Sequence, residues 1–221
     1  MTLEALIPFY PVLANVGASV GATLAAYLVG SLSFAVIVSR LMGLNDPRTY
    51  GSKNPGATNV LRSGSKAAAI ATLLLDALKG WVPVFLVQQF GAAYGLEGGT
   101  LALVGLAAFL GHVYPVFFRF VGGKGVATAM GVVVAISGGL GLATGITWLL
   151  IAFFFRYSSL ASLIAAVFAP VYYLMGDGVA WRYDNTQALS LVIISGFLIW
   201  RHSENISRLV KGTESKLGKK S

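Results

Sequence analysis

No cysteine occurs in the 221 residues, and acids are scarce: eight Asp and Glu stand against sixteen Lys and Arg, with two histidines. The first absence excludes a disulfide framework, a Cys-based zinc site and a thiol nucleophile. The second leaves little to hold a metal, so no metal and no cofactor are expected, and chemistry falls to Lys, Arg, His, Ser, Thr and Asn. Charge of either sign is also thin. Only 11% of residues are charged and 56% are hydrophobic, with a mean hydropathy of +0.76, whereas soluble domains carry about 25% charged residues. The composition points to a polytopic membrane protein. A net charge of +8 would suggest nucleic acid for a soluble chain. Here no nucleic-acid partner is expected, because the placement of the cations reports topology.

What the chain has in quantity is apolar runs separated by glycine-rich polar breaks. Residues 1–17 contain no Lys or Arg and carry Pro8 and Pro11, so the basic start of a signal peptide is missing and the stretch reads as an uncleaved lead-in. Runs long enough to cross about 30 Å of hydrocarbon follow at about 18–41, 66–90 and 100–118, with a charge-poor turn at Glu97 between the last two. Asp76 and Lys79 stand three apart on one face at membrane depth and are read as a mutually neutralising pair. Pro83 is read as a kink. His112 near the end of the third run reads as a satisfied interface residue.

The segment 126–155 is either one helix or two short ones broken at Ser137-Gly138-Gly139-Leu140-Gly141. Further runs lie at about 160–175 and 188–200. If the glycines turn the chain back, Arg48, Lys53, Arg62, Arg119, Lys124, Arg156 and the basic tail fall on one side, as the positive-inside rule asks. The sequence therefore predicts an all-α integral membrane bundle of seven transmembrane helices, N-terminus out and C-terminus in. It forms one domain over 1–221, with 201–221 as a cytoplasmic tail.

Two breaks carry chemistry. Gly122-Gly123-Lys124-Gly125 opens an apolar run; glycines flanking a lone ammonium at a helix mouth suit a phosphate cradle, and they also suit a tight turn with one interfacial cation. It is not a nucleotide P-loop, because Gly125 follows Lys124 and Phe118 stands where the first glycine belongs. The second break, 43–66, sets Arg48, Lys53 and Arg62 among the neutral hydrogen-bonding groups Ser52, Asn54, Thr58 and Asn59. Such a lining favours a polyanion.

Gly51-Ser52-Lys53-Asn54-Pro55-Gly56-Ala57-Thr58-Asn59-Val60-Leu61-Arg62, then His112-Val113-Tyr114-Pro115 leading to Gly122–Thr128, then His202-x-x-Asn205-Ile206-x-Arg208-Leu209 with Gly212-Thr213-Glu214, resemble the bacterial membrane acyltransferase family PlsY. The likeness runs from about 27 to 216. Lys53 replaces a small residue usual in the family, and extra residues precede the first helix.

The resemblance implies acyl transfer from acyl phosphate to the 1-hydroxyl of glycerol 3-phosphate, giving lysophosphatidate at the cytoplasmic face of the bacterial inner membrane. It implies substrate binding by Arg48, Ser52, Asn54, Thr58, Gly122, Gly123, Lys124 and Gly125. Lys124, His202, Asn205 and Ser162 are the implied catalytic set, and Glu214 has a structural role. Implied partners are glycerol 3-phosphate, acyl phosphate and membrane lipid, with an acyl-phosphate synthase as a candidate docking partner.

Acyl phosphate already carries a good leaving group, so the protein need only juxtapose two phosphate-bearing substrates, hold their charges and remove one hydroxyl proton. The acceptor is His202 or a phosphate oxygen; the second is favoured because no acid stands at an orienting position beside His202. A His with Asp five residues on, as in soluble glycerolipid acyltransferases, is absent: Phe117 follows His112 at that spacing and Ser207 follows His202. The competing reading is a carrier for a phosphorylated metabolite, against which the chain shows no internal repeat.

Overall fold

The computed structural model describes residues 10–96 and 98–218; the first nine residues of the predicted lead-in, Glu97, Lys219 and Lys220 lie outside it. Its helices are α1 (Tyr10–Gly30), α2 (Phe34–Leu41), α3 (Ala57–Leu61), α4 (Lys66–Phe90), α5 (Gly98–Val113), α6 (Val126–Ile136), α7 (Gly138–Phe155), α8 (Ser158–Met175), α9 (Asn185–Arg201) and α10 (Ser203–Val210). Side-chain caps set several starts. Ser65 accepts the Ala68 N–H at 3.2 Å ahead of α4, and the Asp184 carboxylate takes those of Thr186 and Gln187 at 2.9 Å ahead of α9.

The bundle is apolar on its outside and turns its membrane-depth polar side chains into an otherwise apolar interior, as a hydrocarbon solvent requires. Leu142, Leu149, Phe153 and Phe154 of α7 are exposed, whereas Ser31, Thr72, Asp76, Lys79 and Thr128 are buried. Small residues let the backbones close. A Cβ on Gly30 of α1 would strike the Ala108 carbonyl of α5, and one on Gly131 of α6 would strike the Ala77 carbonyl of α4. Val84, Val104, Phe109, Val113 and Val132 fill the centre.

Seven transmembrane helices are not found. Four helical segments of the described residues are long and apolar enough to span, namely α4 continued to Tyr94, α5 continued to Phe118, α7 and α8, and α1 with α2 makes a fifth if the bent pair counts as one. The predicted run over 18–41 is broken at Ser31-Leu32-Ser33, with a 43° bend between its halves, and its helix starts earlier, at Tyr10. The chain does turn at Ser137: Val134 lies against Gly141, a separation that an unbroken helix would hold at roughly 10 Å. But α6, with 11 residues, rises only about 16 Å and packs as a buried half-span. α9 has 17 residues and opens on the polar Asn185-Thr186-Gln187. The count differs because hydropathy reports what surrounds a helix and not whether it reaches across. Without seven spans, N-terminus out and C-terminus in loses the support of the count.

Asp76 and Lys79 do pair, at 2.8 Å with both side chains buried. The Lys79 ammonium also donates to the Leu32 carbonyl at 2.6 Å, across the break between α1 and α2. The polar breaks gather at one end of the bundle: Arg62 donates to Ser215 at 2.8 Å, Arg156 to the Leu217 carbonyl at 3.1 Å, and Arg201 to the Gly122 carbonyl at 3.3 Å. At the other end, where Asp184 lies beside Gly98 and Trp181 beside Gly139, Arg182 is the only Lys or Arg among the described residues.

Candidate active site

Asn59 organises the first polar loop. Buried at 2% exposure, its amide donates to the carbonyls of Pro47 (2.6 Å) and Tyr50 (3.2 Å) and accepts the Ser52 N–H at 3.0 Å. Gly51, at φ +57°, passes over that amide and the Arg62 side chain where a Cβ would collide. Asp46 clamps Arg48, taking its Nε at 3.0 Å and a terminal nitrogen at 2.6 Å. The hydrogen bond from Arg48 holds the Asp46 carboxyl below its usual range. Arg48 also lies 5.9 Å from the Phe118 ring centre. Ser52 and Thr58 are exposed and Asn54 is half-buried; the loop meets the glycine run through the Pro55 carbonyl, beside Gly123.

The glycines of that run serve close approach. A Cβ on Gly123 would strike the His112 ring and the Pro55 carbonyl, one on Gly122 the His112 carbonyl, and one on Gly125 the Phe109 ring. The predicted cradle of glycine N–H groups is only partly open, because Gly123 donates to the His112 carbonyl at 3.2 Å. What remains for an anion is the first turn of α6, which no side chain caps, and the Lys124 ammonium.

Lys124 donates to the Asn205 side-chain carbonyl. The Asn205 amide donates in turn to Glu214 at 2.6 Å, and the same carboxylate accepts Ser159 at 2.6 Å and Arg208 at 2.7 Å. Burial raises the Glu214 carboxyl, but the bonds from Ser159, Arg208 and Asn205 outweigh it and leave it below its usual range. Burial lowers Lys124 to about 8, against the opposing pull of Glu214.

His202, the buried junction between α9 and α10, donates Nδ1–H to the Leu198 carbonyl at 2.8 Å, since a carbonyl can only accept. Its Nε2 therefore carries the lone pair. Burial, and then the Lys124 charge, lower its pKa to about 4, which makes it a weak base.

The structure thus brings Lys124, His202 and Asn205 together. Arg48, Ser52, Asn54 and Thr58 stand on the neighbouring loop without a hydrogen bond to that cluster. Ser162 lies inside α8, accepting Trp148 at 3.0 Å and donating to the Ser158 carbonyl at 2.8 Å. Sequence reasoning missed Ser159 and Arg201, and it missed Asp46 and Asn59 as the groups that shape the first loop. Only Asn59, inside the Gly-Ala-Thr-Asn run, carried a local signal. Among the described residues no three His, Asp or Glu side chains gather as a metal site.

A lysine at about 8 gives the site a pH signature. Its charge is complete well below that value and lost above it, so kcat/KM for a phosphate-bearing substrate is expected to fall as pH rises through about 8. Lys124→Arg should remove this alkaline limb, because guanidinium keeps its proton there. A limb unmoved by that substitution would assign it to another group.

The glycerol-3-phosphate acyltransferase family model matches residues 20–212. The chain is 66% identical to a glycerol-3-phosphate acyltransferase of Albidiferax ferrireducens over 99% of its own length and 94% of the relative's. It is 63% identical to that of Bordetella petrii, over 88% and 91% respectively. Among solved structures it resembles PlsY (YgiH), an integral membrane glycerol 3-phosphate acyltransferase, in its glycerol 3-phosphate form. There the TM-score is 0.83 at 39% identity, covering 91% of this chain and 96% of that one. The lysophosphatidic acid form gives 0.82 at 38% identity with the same coverage. With a family match across most of its length and relatives this similar end to end, the chain belongs to the glycerol-3-phosphate acyltransferase family.

Proposed function

We propose that this multi-pass membrane protein transfers a fatty acyl group from acyl phosphate to the 1-hydroxyl of glycerol 3-phosphate, with Lys124 holding substrate phosphate. The observation that carries the assignment of Lys124 is its half-buried ammonium, placed between close-packed glycines at an uncapped helix mouth and steadied by Asn205. Substrate and product of this reaction are the two molecules named for the solved PlsY forms.

In the reaction the hydroxyl oxygen attacks the acyl carbonyl carbon, the bond from that carbon to the phosphate oxygen breaks, and inorganic phosphate leaves with the electron pair. The hydroxyl proton goes to a phosphate oxygen. A histidine at about 4, with its Nδ1–H spent on a backbone carbonyl, is poorly suited to take it. His202 instead offers its Nε2 as a hydrogen-bond acceptor to the attacking hydroxyl. Lys124, with Arg201 nearby, meets the negative charge that shifts onto the leaving group. Asn205 sets the direction of the Lys124 ammonium, Ser162 supports the α8 wall, and Arg48, Ser52, Asn54 and Thr58 form the second wall of the substrate site.

The end of the bundle that collects the cations faces the cytoplasm of a bacterial inner membrane, following the positive-inside rule. It is also the face on which an acyl-phosphate synthase would dock. The test is turnover by detergent-purified protein given labelled glycerol 3-phosphate and either donor. Acyl phosphate is expected to yield lysophosphatidate and acyl-CoA is not. Comparable rates with acyl-CoA would overturn the donor assignment.

A further inference from the structure

His112 plays no part in the chemistry above, yet it bears on the chain on both sides of Lys124. It stands in the last turn of α5, is 7% exposed, and its carbonyl accepts the Gly123 N–H at 3.2 Å. Its Nε2 edge lies where a Gly123 Cβ would stand. Its Nδ1 meets the Thr128 hydroxyl at 3.1 Å, in the first turn of α6, and stands 3.7 Å from the Asp76 carboxylate. That carboxylate is in turn held by Lys79 at 2.8 Å. One imidazole therefore bears on the chain both before and after Lys124, and it is seated on a buried ion pair of α4 that cannot rearrange without leaving a charge in an apolar interior. Gly80 of α4, pressed on the Thr128 carbonyl, closes the same seam.

We propose that His112 is a positioning residue, which holds the Gly122–Gly125 run and the start of α6 so that the Lys124 ammonium meets substrate phosphate. The inference rests on the reading of Lys124 as the phosphate-binding cation. A site that depends on the placement of one ammonium is sensitive to this, since a misplacement of about 1 Å can cost up to about 100-fold.

Steady-state kinetics in both substrates test it, on protein shown to be folded by its melting curve. His112→Ala is expected to raise KM for glycerol 3-phosphate about tenfold, and to lower kcat as well where Lys124 also meets the departing phosphate. Thr128→Val, which keeps the volume and removes the hydroxyl, should raise the same KM about fivefold, the value of one hydrogen bond. Thr128→Ser, which restores the hydroxyl, should recover it. Gly123→Ala should be damaging alone but add less than its full effect in the His112→Ala background, because the ring it strikes is gone.

If His112→Ala does not fold, the Val and Ser pair at Thr128 decides. Unchanged glycerol 3-phosphate KM in the folded variants, with Lys124→Ala crippled, would overturn the positioning role and spare the phosphate site. A Lys124→Ala enzyme with wild-type kinetics would overturn both. Full additivity of Gly123→Ala and His112→Ala would also overturn the positioning role.

Discussion

Lys124→Ala is expected to lose about 10- to 150-fold in kcat/KM for glycerol 3-phosphate, the equivalent of roughly 1.5–3 kcal/mol for one charge-assisted hydrogen bond to a phosphate. The half-burial that lowers its pKa to about 8 also shields the ammonium from water, so the contact is screened less than a surface pair would be. If the lysine only binds the acceptor, KM rises and kcat is spared; if it also meets charge moving onto the departing phosphate, kcat falls too. Lys124→Arg should recover little. A planar guanidinium cannot take the place of a compact ammonium between Gly123 and Gly125, where a Cβ on either glycine would already collide. The reference is Lys211→Ala, an exposed cation of the tail, for which wild-type kinetics are expected. Near-wild-type kinetics of Lys124→Ala in both substrates would reduce the glycine run to a turn and move the search for the phosphate site to Arg48 and Asn54.

Lys79→Met is expected to be the more damaging to stability, by roughly 3–5 kcal/mol, the cost of stripping one partner from a buried ion pair. The loss is double. Asp76, 2% exposed, is left with an uncompensated carboxylate, and the Leu32 carbonyl loses the only side-chain donor it has among the described residues. The N–H groups of Val36 and Ile37 cannot replace that donor, since both bond to Ser33 at 3.0 Å. The measurement is the melting temperature in detergent, with a drop on the order of 10 °C for a chain of this size. Asp76→Asn with Lys79→Met should regain most of it, because a neutral amide in the interior costs far less than a lone charge; the shortfall belongs to the Leu32 carbonyl. A single variant that melts with the wild type would show that the pair does not hold the bend between α1 and α2.

Composition alone was enough to make this chain a membrane protein, because 56% hydrophobic against 11% charged residues is more apolar surface than a soluble domain can hide. The motif runs were enough for the family, and residue type with spacing was enough for the Asp76–Lys79 pair. Helix count was not legible. An apolar run has the same composition whether its helix is long enough to span and faces outward, as α7 does, or is short and packs inside the bundle, as the 11-residue α6 does; only the folded chain distinguishes them. Nor was the wiring of the site. Lys124 and Asn205 are 81 residues apart and Ser159 and Glu214 are 55 apart, so no local pattern pairs them. The glycines around Lys124 looked like donors to phosphate, but their missing side chains admit His112, Pro55 and Phe109. The sequence determines which groups are available, through their intrinsic chemistry, and the tertiary fold decides which of them meet, because contacts across the bundle depend on how whole helices pack.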